Sequence, residues 1–169
     1  MPAFTVTSFN TRWGLDVDDR PYDWMEACAS FDTDLIVLQE VWEPSDGSGP
    51  LHSTAARLGY EVHHAALSPS LVDPRPEITP HVADAAGTWG VALLSRRPVV
   101  ATRQMEMGRM FERWDVASRP VLLADVAVDQ STTVTIAAIH LSFALPNAVA
   151  QLRRLGGLLP ATRPTMVAG

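Results

Sequence analysis

The sequence contains no lysine; all 13 of its basic residues are arginine. It has one cysteine, Cys28, so no intrachain disulfide can form and a four-cysteine zinc site is excluded. No apolar run approaches the ~18 residues of a membrane span. The opening MPAFTVTSFN enters a strand pattern at once, without a basic leader before an apolar stretch, so no signal peptide and a cytoplasmic location are expected. Repeats, low-complexity tracts and a domain linker are also lacking, and 169 residues suit one domain, 1–169. The net charge of −6 argues against nonspecific nucleic-acid binding, which basic patches drive, although a local basic groove remains open.

At 47% hydrophobic and 19% charged, the chain can bury a core. FTVTSFN (4–10) reads as a strand, PYDWMEACASF (21–31) as a helix with Pro21 in its first turn, and DLIVLQE (34–40) as a second strand. That order makes a βαβ unit with parallel strands. Leu35, Ile36, Val37 and Leu38 are apolar on both parities, which implies a sheet covered on both faces and a layered α/β or α+β architecture.

PLHSTAARLGY (50–60) reads as a helix closed by Gly59, and EVHHAAL (61–67) as a weaker strand. Residues 68–87 read as a long loop. TWGVALLS (88–95) and VVATRQMEM (99–107) suggest one hairpin, RPVLLADVAV (119–128) and TVTIAAIHL (133–141) another. NAVAQLRRLGGLL (147–159) places Val149, Leu152, Leu155 and Leu159 on one helical face, and PTMVAG (164–169) begins like a buried strand.

Asn10, Glu40 and His140 are polar residues at the carboxyl ends of strong strands. If the first two strands are parallel, Asn10 and Glu40 emerge on one edge, where ligands of α/β sheets collect. An amide oxygen and a carboxylate suit a hard divalent ion that also takes waters and phosphate oxygens. If the second hairpin turns on Gln130 and Ser131, Val121 pairs with His140 and Arg119 with Ser142, leaving Arg119 and His140 roughly 7–8 Å apart on one face. A one-residue slip would separate them. Arginine grips nonbridging phosphate oxygens in a fork, and histidine exchanges a proton near neutral pH.

Plainer readings stand beside these. Glu40 also fits an exposed strand end, Asn10 a turn, His140 a hydrogen-bonded core residue and Arg119 a solvated edge. Adjacent His63 and His64 would face opposite ways, and His52 and His81 read as surface residues. Trp13 and Trp42 could stack on a base, though packing at the strand ends is the simpler role. Arg153 and Arg154 read as a solvated helix face, and RWDVASR (113–119) as a loop that could approach substrate.

FTVTSFN, DLIVLQEVW, GVALLSRRPV, SRPVLLADVAV, VTIAAIHLSF and PTMVAG occur in the order of the endonuclease/exonuclease/phosphatase superfamily, which the chain resembles along most of its length. The resemblance implies a four-layered α/β sandwich, two packed sheets with helices outside. It implies a phosphodiesterase, nuclease or phosphatase dependent on Mg²⁺ or Mn²⁺. Glu40 is similar to the family's metal-binding glutamate, Asn10 to an asparagine beside the metal, His140 to the phosphate-facing histidine and Arg119 to a phosphate-contacting arginine. The substrate would be a phosphoester: nucleic acid, nucleotide, inositol phosphate or phospholipid headgroup.

Family members continue with G-D-x-N where this sequence stops at Gly169, and some nucleases carry an acid near Trp89, where Gly87 and Thr88 stand here. The chain is therefore expected to supply the first three fifths of a domain, with the water-activating residues beyond it. On that view the first sheet leaves about a dozen apolar side chains uncovered, on the order of 20–35 kcal/mol of missing burial. The rival expectation is a non-catalytic half-domain that acts only through a partner or survives as a remnant.

Overall fold

The strand expected to be buried on both faces is so buried. In the computed structural model, which describes residues 4–46, 49–68, 87–108 and 118–169, Leu35, Ile36, Val37 and Leu38 are all fully inaccessible to solvent. They begin β2 (Leu35–Pro44), which runs parallel to β1 (Val6–Asn10) with Asn10 beside Gln39. Between them lies α1 (Trp24–Ser30). It starts later than the sequence suggests: Asp23, not a first-turn Pro21, caps it by accepting from the Met25 and Glu26 amides at 2.9 and 3.0 Å. Pro21 instead forms a bridge to Leu15.

α2 (Pro50–Leu58) has Pro at its N-terminus and ends at Gly59, whose φ of +74° suits a residue without a Cβ. β3 (Glu61–Ser68) and β4 (Gly87–Ser95) complete the first sheet in the order β1-β2-β4-β3. The second contains β5 (Val99–Gly108), β6 (Arg119–Ala127), β7 (Thr133–Ile139) and β8 (Thr165–Ala168), in that order. β7 and β8 are parallel and are connected through α3 (Leu145–Leu158). Among the described residues no helix is long and apolar enough to cross a membrane.

Side-chain alternation divides the core. Leu35 and Val37 point into the space between the sheets and meet Val91, Leu93, Leu122, Ala124, Ile136 and Ala138. Ile36 and Leu38 point the other way, onto Trp24, Cys28, Leu51 and Ala55 of α1 and α2. On the far side, Val121, Leu123, Ala137 and Ile139 pack with Leu155 of α3. The result is the four-layered sandwich: helices, sheet, sheet, helix.

Several expectations fail, each for a physical reason. The inner face of the first sheet is not bare, because β5–β8 already supply its cover. β4 and β5 do not pair as a hairpin; the chain crosses from one sheet to the other at Arg96–Pro98. That crossing is tied to the start of β2: the Arg96 amide donates to Asp34 O at 2.9 Å and Arg97 Nε to Asp34 Oδ1 at 2.6 Å. Among the described residues β8 lies at a sheet edge, with Met166 and Val167 exposed. On α3 the buried positions are Asn147, Gln151 and Leu155, while Val149 and Leu152 face solvent.

The inter-sheet core gives a direct test. Leu93→Ala is expected to lower urea-measured stability by about 2–5 kcal/mol, and a loss below about 0.5 kcal/mol, typical of a surface position, would contradict sheet-on-sheet packing. Asp34 gives a pH test. Burial pushes its carboxyl up, but hydrogen bonds from Thr5 and Arg97 outweigh this and leave it below the ordinary 3.8. Its stabilisation is present above that value and is lost as pH falls through the lowered one. Asp34→Asn should be less stable than wild type at pH 7, and the gap should close on acidification below about pH 4; a gap independent of pH would refute this.

Candidate functional site

Glu40 leaves the regular ladder. Leu38 pairs with Ala92 and Val41 with Gly90, so Gln39 and Glu40 together oppose the single residue Val91. This is a β-bulge, and Glu40 takes a φ of +56°, uncommon for a residue with a side chain. Leu38 and Val41 consequently share the helix-covered face although they are three residues apart. The extra residue frees Glu40 from the alternation and turns it toward the end of the sheet.

Thr11 holds this geometry. Its amide donates to Gln39 O at 3.0 Å, and its hydroxyl lies 3.1 Å from Gln39 O and 2.9 Å from Glu40 O. Gln39 is buried and donates through Nε2 to Ser8 Oγ and Val37 O, both at 3.2 Å. Asn10 continues the brace: it accepts the Arg12 amide on Oδ1 at 2.8 Å and donates from Nδ2 to Glu40 Oε1 at 3.2 Å. Its amide group is thereby oriented with nitrogen toward the carboxylate. Tyr22 donates to Thr11 O at 3.1 Å from below the same turn.

His140 comes from the other sheet. It follows the last residue of β7 and places Nε2 3.4 Å from Glu40 Oε1, with both side chains 23% exposed. The expected register is wrong by one residue: Val121 pairs with Ile139, not with His140. The turn is longer than two residues because Asp129 Oδ1 accepts from the Ser131 and Thr132 amides, both at 2.8 Å. His140 lies past the ladder, where strict alternation no longer governs it. Arg119, buried at the start of β6, is near enough for its charge to act on Glu40. Burial pushes the Glu40 carboxyl up; hydrogen bonds from His140 and Asn10, then the charges of His140 and Arg119, overcome that and leave it below its ordinary value. Asn10, Glu40 and His140 therefore meet, with the Arg119 charge acting on Glu40.

Among the described residues no group of three His, Cys, Asp or Glu side chains could hold a metal. That excludes a tetrahedral zinc cage built from them. One carboxylate fits Mg²⁺ or Mn²⁺, which keep waters and take substrate oxygens. Asn10 Nδ2 and His140 Nε2 both address Oε1 of Glu40.

The remaining candidates sort differently. Trp13 and Trp42 pack on buried Trp89, with ring centroids 5.4 and 5.2 Å away. A Cβ on Gly87 would sit 2.4 Å from the Trp42 ring, so the position two before Trp89 is reserved for glycine. His64 is covered and burial pushes it down to about 4, while His63 lies 3.2 Å from Glu61. His52 is exposed at 56% and lies 3.6 Å from Glu43. His81 and residues 113–117 lie outside the described residues. Thr11 and Gln39 were not singled out in the sequence; their adjacency to Asn10 and Glu40 was the available signal.

The sequence matches the model of the Endonuclease/Exonuclease/phosphatase family over residues 7–169. Among solved structures the fold is similar to an endonuclease/exonuclease/phosphatase from Beutenbergia cavernae, with a TM-score of 0.75 and 21% identity over 97% of this chain and 46% of that one. It is also similar to ANGEL2, a 2′,3′-cyclic phosphatase, with a TM-score of 0.59 and 13% identity over 92% of this chain and 47% of that one. Sphingomyelinase C from Streptomyces griseocarneus gives 0.61 and 19% over 99% and 63%. The chain thus spans about half to two thirds of the length of these structures. No curated protein matches it.

The bulge is open to test without any assay of activity. Thr11→Val keeps the volume but removes the hydroxyl from two carbonyls, and should cost about 1–3 kcal/mol in urea unfolding. A loss under about 0.5 kcal/mol, as at an ordinary surface site, would show that Thr11 does not hold Glu40 in place.

Proposed function

The chain belongs to the endonuclease/exonuclease/phosphatase family, and from that premise we propose that the whole protein is a metal-dependent phosphoester hydrolase in which Glu40, Asn10, His140 and Arg119 hold the metal and the phosphoryl group while other residues activate the attacking water. One observation carries this reading: a carboxylate turned out of a bulge and met by Asn10 at 3.2 Å and by an imidazole of the opposite sheet at 3.4 Å. Such a grouping has no packing purpose that an apolar residue would not serve better.

Each side chain has work suited to its chemistry. Glu40 stays ionised well below neutral pH and would hold Mg²⁺ or Mn²⁺. Asn10 orients the carboxylate through its NH₂ group, while its Oδ1 accepts the Arg12 amide. When bound, the ion would neutralise phosphoryl charge and stabilise the departing oxygen. Arg119 supplies a permanent cation for nonbridging oxygens. His140 can donate a proton from Nε2, which lies 3.4 Å from Glu40 Oε1, to the leaving oxygen. The relatives' names span a 2′,3′-cyclic phosphatase and a sphingomyelinase, and nucleic acid, a nucleotide, an inositol phosphate or a phospholipid headgroup all present the phosphoester this site would engage.

Hydrolysis of bis-p-nitrophenyl phosphate tests the proposal. Activity should require Mg²⁺ or Mn²⁺ and fall at least ~100-fold in Glu40→Gln, the scale of losing a principal charge-stabilising group. His140→Gln should lower kcat by a comparable factor. Hydrolysis indifferent to chelator and to Glu40→Gln would remove this site assignment, whereas no hydrolysis at all would favour a non-catalytic domain.

A further inference from the structure

α3 turns an unexpected face inward. A leucine stripe would place Val149 and Leu152 against the sheet, yet they are 38% and 49% exposed, whereas Asn147 and Gln151 are 0% and 1% exposed. Burying two amides costs free energy unless both their donors and acceptors are matched. Gln151 is matched at both ends: Oε1 accepts the Ser142 amide at 2.9 Å and Nε2 donates to Gly108 O at 3.0 Å.

One of those backbone groups lies in the segment that follows His140, and the other lies across the β5–β6 pair from Arg119. Ser142 lies two residues beyond His140, in the stretch that has left the β7 ladder. Gly108 pairs with Arg119 across a bulge in β5 and has a φ of +70°. Neither segment has a continuous ladder to fix it at that point. Ser142 extends the brace by accepting the Ala144 amide on its hydroxyl at 3.1 Å, just before α3 begins.

We infer that Gln151 is a positioning residue: its side-chain amide clamps the chain after His140 to the backbone opposite Arg119, and so aims His140 at Glu40. This rests on the proposed site for its functional meaning, but not for its test. A glutamine can donate to a carbonyl and accept from an amide at once. Methionine fills the space and does neither, while glutamate retains only the acceptor.

The full chain is labelled at histidine, and the His140 ring signal, identified by its loss in His140→Gln, is followed at one neutral pH. In the wild-type background Glu40→Gln should displace that signal. In Gln151→Met the displacement produced by the same substitution should shrink to less than about half, the signature of lost coupling in a double-mutant cycle. A full-sized displacement with only a lowered Tm would make Gln151 a packing residue and overturn the inference. Should Gln151→Met not fold, Gln151→Glu decides: a reduced displacement supports the clamp and an unchanged one refutes it. Failure here with Glu40-dependent hydrolysis intact leaves the phosphoester proposal standing. A confirmed clamp with Glu40-independent hydrolysis overturns that proposal and leaves the clamp.

Discussion

The structure depends on the burial of β2 from both sides. Leu35 and Val37 commit one face to the second sheet, and Ile36 and Leu38 commit the other to the helices. Full burial of each side chain is worth about 1.5–3 kcal/mol, so sliding the strand would exchange the two faces at great cost. A position so determined can bear local strain. The left-handed backbone at Glu40 costs on the order of 1–3 kcal/mol, less than Leu35, Ile36, Val37 and Leu38 gain together. The carboxylate is thus placed by its neighbours, not by its own preference.

Electrostatics within the site follow the same logic of opposed terms. Desolvation alone would favour a neutral Glu40, and the site counters it with directed donors. Asn10 is useful because its oxygen is already engaged by the Arg12 amide, which leaves its NH₂ facing the acid. A chain of net charge −6 therefore holds, around one carboxylate, enough directed donors and nearby charge to keep it below its ordinary value. Net charge described the whole surface and was silent about this one place.

The sequence revealed the layers more readily than the contacts between them. Apolar residues on both parities identified β2 as central, and polar residues at the ends of strong strands identified Asn10, Glu40 and His140. The bulge was not visible, because Gln39-Glu40 contains no glycine to announce a left-handed backbone. The β6–β7 register was missed by one residue because Asp129 gathers two amides into a longer turn, a contact that composition alone does not specify. On α3, leucine spacing pointed to the wrong stripe. Hydrophobicity ranks residues singly, whereas Gln151 is buried where the Ser142 amide and the Gly108 carbonyl lie within its reach.

These misses share a cause that bears on how the site works. Glu40 belongs to the first sheet, His140 and Arg119 to the second, and their separation is set by the side chains that keep the sheets apart. Face-to-face sheets lie about 10 Å apart, and close packing transmits small volume changes. Neither sheet alone contains the site, and no single motif encodes its geometry. Each group stands where regular pairing ends: Glu40 in a bulge, His140 beyond a strand, Arg119 opposite a left-handed glycine. Regular strands can place side chains only on two faces. The departures are what allow three strands from two sheets to direct polar groups toward a common point.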